Sequence, residues 1–324
     1  MTDLATAETF LTTHARLLER ARLDLALGRA GAAERVLSAL AAYRNRDGGF
    51  GWGLEPDQRA PSSQPAGAYQ GFTVLAEVVG ALARGGAGAG DASGAAGTGG
   101  AGSGWDAARA SDLAVGLCDW AGSVALDGGA LPFSLADAAS PGTAPWWAGA
   151  DPTAPSLHIT AGICAHAQHV RAHDAALAAH PWLAAATDWC LQQVAAQARP
   201  DSAYELAFVL GLLDAIVDVR PEATPQLQRM AAFVPPSGEL PVHGGSDDEK
   251  LRPLQIAPLP DRPLRTHFPA DAIARHLAEL EEEQRPDGGW TVDFPSSSPA
   301  GEMEWRGIAT VEAIGLLRAN RVCR

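Results

Sequence analysis

Glu55 and Asp57 stand in a glycine-rich loop ahead of one apolar run, and Glu302 and Glu304 stand ahead of the last one. Carboxylates brought together from separate segments can act as an acid/base pair, provided one is desolvated enough for its pKa to rise. These four are the candidate catalytic residues. Glu302 and Glu304 would equally suit the positive end of a final helix, and Arg306 beside them could simply tie loop carboxylates together. Lys250, Arg252, Arg262 and Arg265 make a basic stretch in an acidic chain, with Asp248 next to them. Guanidinium forks grip phosphate oxygens bidentately, which would allow a diphosphate site; a solvated salt-bridge face is the structural alternative. Trp52, Trp146, Trp147, Trp290 and Trp305 lie in or beside loops, and Tyr204 opens a helical run within the capping-box string Ser202-Ala203-Tyr204-Glu205. Their rings could face a substrate or a developing cation, or could pack the turns.

Other chemistries leave little trace. His166, His169 and His173 share a helical face by their spacing, but no carboxylate or thiol nearby completes a metal-ligand set, so surface histidines are the simpler reading. The chain has no phosphate-cradling glycine loop, no nucleophile elbow and no dinucleotide fingerprint. No cofactor is expected; Mg or Zn would lack a complete motif.

The elements that must position these residues come from a recurring turn. Asp47-Gly48-Gly49-Phe50-Gly51 follows one apolar run and precedes another that opens at Gln64-Pro65-Ala66. Asp127-Gly128-Gly129, Asp287-Gly288-Gly289-Trp290 and, more weakly, Ser237-Gly238 repeat it. Glycine supplies positive φ in such turns and aspartate bonds nearby amides. Allowing for a Gly/Ala/Ser tract at 85–104, the copies fit a helix-hairpin period of about 50 residues. The apolar pattern predicts helices over 4–30, 31–43, 65–84, 105–126, 156–172, 181–198, 202–219, 222–233, 269–285 and 304–320. Long loops are expected at 127–156 and 234–268. The helix at 269–285 is apolar on one stripe, whereas 304–320 is apolar nearly all round, as outer and inner helices of two concentric layers would be. We therefore expect an all-α fold, an α/α toroid, with residues 1–324 as one domain and 85–104 as a flexible surface insertion.

Composition bounds the partners. Of 324 residues, 47% are hydrophobic and 19% charged, which suits a folded core. The net charge of −14 argues against nucleic acid or an anionic membrane. Cys118, Cys164, Cys190 and Cys323 are scattered, the N-terminus has no leader pattern, and no membrane span is expected. A cytoplasmic protein with reduced thiols follows, its oligomeric state open.

The repeat resembles that of the prenyltransferase and squalene-cyclase superfamily, most clearly in Asp47–Gly51 before Pro65–Tyr69 and in Gln284–Trp290 before Glu304–Leu317. The resemblance covers most of the chain as a repeat pattern. It implies a toroid of paired helices around an apolar cavity and an enzyme handling a small apolar, isoprenoid ligand. The chemistry is less well matched, because a repeat carries fold more than function. No Asp-X-Asp-Asp string occurs, and Leu251 stands where Asp-Asp-X-X-Asp would need its last aspartate. Asp188-Trp189-Cys190 matches half of a zinc motif, with His243 or His267 as the distant ligand, although an exposed Asp188 and a core Cys190 are the plainer reading. Two alternatives stay open: a carbohydrate-active toroid using paired loop carboxylates, and a non-catalytic binding toroid.

Overall fold

The computed structural model describes residues 2–88, 99–247 and 249–322. Helix α1 (Leu4–His14) starts where Asp3 caps it, its Oδ1 accepting from the amides of Ala5 and Thr6 at 3.0 and 3.2 Å. The sequence predicted one helix over 4–30; the chain instead turns extended at Ala15 and Arg16 and restarts as α2 (Leu17–Ala26). The break carries the Arg16 guanidinium to the carbonyls of Gly53 and Leu54 at 3.0 and 3.1 Å, bonds that a continuous helix would not need. Gly31, at φ 67°, opens α3 (Ala32–Ala41).

Helices α4 (Pro65–Gly88) and α5 (Gly99–Val124) extend into both ends of the glycine tract, so the expected insertion is shorter than 85–104. The part between the helices lies outside the described residues. The 127–156 segment holds the short helix α6 (Pro145–Ala148), which carries both tryptophans of its pair. Then come α7 (Leu157–Arg171), α8 (Ala175–Ala178), α9 (Pro181–Ala196), α10 (Ala203–Ile216) and α11 (Ala223–Ala231). The second long loop contains two two-residue antiparallel strands, β1 (Leu240–Pro241) and β2 (Lys250–Leu251), and the one-turn helix α12 (Pro253–Ile256). Helix α13 (Ala270–Glu282) precedes α14 (Pro299–Ala319). Helix α14 begins five residues before the predicted 304, because Ser298 caps it and proline is favoured in a first turn. The fold is thus all-α, with almost no sheet.

Two of the four repeat turns, at Asp47 and Asp287, are built alike, whereas Asp127–Gly129 forms a 3-10 turn in which Gly129 N donates to Leu126 O. Asp47 Oδ1 accepts from Gly49 N at 3.0 Å, and Asp287 Oδ1 accepts from Gly289 N at 3.1 Å. Gly48 and Gly288 hold φ of 93° and 94°. A Cβ on Gly48 would lie 2.5 Å from the Gly116 carbonyl oxygen, and one on Gly288 would strike the backbone of Thr6, so space as well as φ demands glycine.

Packing runs from neighbour to neighbour. Helix α14 packs on α2, α2 on α3 and α4, α4 on α7, α7 on α10, α10 on α12, α12 on α13, and α13 on α14. Helices α1, α5, α9 and α11 pack against α14, α4, α7 and α10 respectively. The chain's two ends meet: Gln284 accepts from Asp3 N at 2.7 Å and donates to Asp3 O at 2.8 Å. A small core of Ala7, Phe10, Leu11, Trp290, Ile314 and Leu317 fills that seam beside the main core. Helix α13 buries only Ala272, His276 and Leu280, the one-sided burial expected of it. Helix α14 departs from expectation: Glu312 breaks its apolar surround and stays open on one side. Pro65–Arg84 within α4 is long and apolar enough to cross a membrane by length and composition, with a mean hydropathy of 1.2. It is 56% buried and packs on α3, α5 and α7, as a core helix does.

Candidate active site

The 51–60 loop lies between α2 and the start of α14, and its backbone and side chains tie both down. Asp57 is saturated: Oδ1 accepts from Ser296 Oγ at 2.6 Å and Ser297 N at 2.9 Å, and Oδ2 from Trp305 Nε1 at 2.8 Å. Arg59 pairs with Glu304 at 2.5 Å, and Arg16 reaches the same carboxylate at 3.9 Å while holding Glu19 through both of its own oxygens. Glu55 is 6% exposed, and its Oε2 has no hydrogen-bond partner among the described residues. Burial first, and the Asp57 charge second, push its pKa up to about 8, so it is neutral at pH 7. Glu55, Asp57 and Glu304 therefore share one junction. Glu302 is exposed in the first turn of α14 and takes no part. Glu302, expected just ahead of a helix starting at Glu304, lies inside its first turn instead.

From Arg16 a line of charge runs inward along α2. Glu19 and Arg22, one turn apart, are both buried. The Arg22 fork binds Glu77 of α4 at 2.9 and 2.6 Å, and its Nη2 also lies 4.0 Å from Glu312 of α14. The Glu312 side chain keeps 51% of its surface open. Desolvation nevertheless dominates its titration; Arg22 opposes the rise, Glu77 and Glu19 add to it, and the pKa reaches about 7. Glu312 thus stands where α2, α4 and α14 meet, open to water on one side and close to Arg22, Glu77 and Glu19 on the other.

A wall of aromatic residues lies beside them. Tyr69 of α4 stacks on Phe208 of α10 with centroids 5.0 Å apart and meets His166 of α7 edge-on at 5.2 Å. His158 lies 4.9 Å from Phe208 and 5.8 Å from Tyr204, and Phe133 links it to Trp147. Burial lowers His158 to about 4 and His166 to about 3, and raises both tyrosines, so this wall is uncharged at pH 7. Tyr204 donates to Glu249 at 2.8 Å.

The remaining expected residues scatter. Trp52 is 59% exposed with φ 58°, its indole N–H on Asn45, and Trp146 is exposed. Trp147 is buried against Phe133, and Trp290 is core, donating to Leu280 O. Arg306 grips both oxygens of Asp287 at 2.8 Å and covers the Phe10 ring. The basic stretch does not form an open patch: Lys250 pairs with Glu239, Arg252 with Glu283 and Arg262 with Asp218, and Arg265 donates to backbone carbonyls. Asp248 lies outside the described residues. Asp188 pairs with Arg220 at 2.7 Å, and Cys190 is buried against Cys164. Among the described residues, no group of three or more His, Cys, Asp or Glu side chains is arranged to hold a metal ion.

Arg22, Glu77, Glu312, Tyr69, His158 and Phe208 were not singled out from the sequence as site residues, and of the three histidines read as surface groups only His173 is exposed, His166 being packed against Tyr69. One signal was available: Tyr69, Thr73 and Glu77 recur every four residues down a helix that is otherwise apolar, marking a wet stripe on a core element. No protein-family model matches the chain, and no curated protein sequence matches it.

Proposed function

We propose that the helices form an α/α toroid, that the space between Glu312 and the aromatic wall is its central chamber, and that the chain is an enzyme performing general acid–base chemistry on a small neutral substrate. The ring reading is supported by the succession of neighbours from α14 through α2, α4, α7, α10, α12 and α13 back to α14. Glu312 carries the catalytic reading. An accessible carboxyl with a pKa of about 7 is half protonated at neutral pH, where general acids transfer protons most effectively. It donates a proton to a leaving oxygen. Glu77, fixed by the Arg22 fork, is the second carboxylate beside the same substrate. The two carboxyl side chains left open on this side, Glu77 and Glu312, are costly to cover with hydrocarbon, so the chamber favours a polar ring such as a sugar, lying against Tyr69 and Phe208. Such a substrate fits two-carboxylate glycoside chemistry.

Isoprenoid handling is the second reading, favoured by the aromatic wall and by the superfamily-like repeat. The buried, free Cys118, Cys164 and Cys190 suit a cytoplasmic site of action. Incubation with chromogenic aryl glycosides and, in parallel, with farnesyl and geranylgeranyl diphosphates separates the two. Glycoside turnover lost in Glu312→Gln is the expected result. Turnover confined to the diphosphates, or turnover that survives Glu312→Gln, overturns the first reading.

A further inference from the structure

A separate cavity of about 420 Å³ opens where the last turns of α7 and α10 meet, lined by Gln168, His169, Arg171, Ala172, Ala178, Ala215, Asp218, Val219 and Arg262. Its size suits a small molecule. Its chemistry is sorted by charge. Arg171 is half-buried and has no ion pair among the described residues. Arg262, in contrast, is fully engaged: it holds Asp218 at 2.6 Å and Asp214 at 3.3 Å and donates to the Asp214 carbonyl. Asp218 spends only Oδ2 on that pair, which leaves Oδ1 facing water. The C-terminal ends of two helices add partial negative charge on the same side. Ala172, Ala178 and Val219, all exposed, and the half-buried Ala215 supply an open apolar side.

We propose that this cavity binds a small zwitterion of the α-amino-acid type. The free Arg171 fork takes the carboxylate bidentately. Asp218 Oδ1 and the helix carbonyl ends take the ammonium, and the alanine–valine wall takes a side chain of a few carbons. A plain anion would be opposed by the helix ends and Asp218, and a plain cation by Arg171 and Arg262. Only a ligand carrying both charges satisfies both sides. His169 does not disturb the arrangement, because burial and the neighbouring Arg262 lower its pKa and keep the ring neutral.

Titration calorimetry on the full chain tests the site, with alanine and valine as probes and propionate and propylammonium as their half-molecules. The amino acids should bind saturably, and each half-molecule should bind about tenfold more weakly or worse. Arg171→Gln should cut amino-acid affinity by about tenfold or more with little change in melting temperature. Ala178→Leu, which fills the cavity, should abolish binding. The proposal fails if no amino acid gives saturable heat, if propionate matches alanine, or if both variants bind as the parent does.

Discussion

Glu55 and Glu312 are two acids of different kind, and the difference is how each meets water. Glu55 is sealed with one oxygen unpartnered, so its ionisation works against the fold. Its folded pKa of about 8 lies above the ordinary 4.5. The folded state thus holds the proton more tightly than the unfolded one, and stability falls as pH climbs from 4.5 to 8, then levels off. Glu55→Gln should therefore be more stable than the parent at pH 9, by on the order of 3 kcal/mol. The gap should close toward pH 5, as thermal melts across that range would reveal. Asp57 is the opposite case, a carboxylate that three donors require. Asp57→Ala should cost about 3 kcal/mol, and tryptophan fluorescence should report release of Trp305. Glu55 and Asp57 stood out in the sequence because they interrupt a conspicuous glycine loop. Glu77 and Glu312 were not, since one charge in an apolar helix reads as an exposed position until the facing helices are assembled around it.

At the level of elements, the turns carry the fold's most local information. Gly48→Ala and Gly288→Ala each combine an unfavourable φ with a backbone collision, and each should cost about 3 kcal/mol or more, measured by denaturant unfolding. Ser298→Ala removes the cap of α14 and should cost about 1 kcal/mol. Helices α7, α9, α10, α11 and α13 were readable to within a few residues, because periodic apolar runs end at caps and prolines. The break between α1 and α2 was hidden, because its cause is tertiary: Arg16 leaves the helical path to bond loop carbonyls some forty residues away. The early start of α14 was missed because Pro299 reads as a breaker when it occupies the one helical turn that accepts it. The basic stretch dissolved for a similar reason: each cation has a carboxylate or carbonyl partner, and those of Arg252 and Arg262 lie 31 and 44 residues away.

For the molecule as a whole, the join between its ends and the meeting of α2, α4 and α14 at Glu312 belong together. Helix α1 supports α14 and the Asp287 turn, and α14 in turn presents Glu312 to Arg22 and Glu77. The account rests most heavily on that carboxyl being open to water yet held near neutrality. Infrared difference titration, run in a Glu55→Gln background to remove the sealed acid, measures it directly. A carboxylic-acid band that titrates near pH 7 and disappears in Glu312→Gln is the predicted result. A spectrum in which Glu312 has fully ionised by pH 5 would contradict the proposed chamber, and with it the acid–base chemistry proposed for this chain.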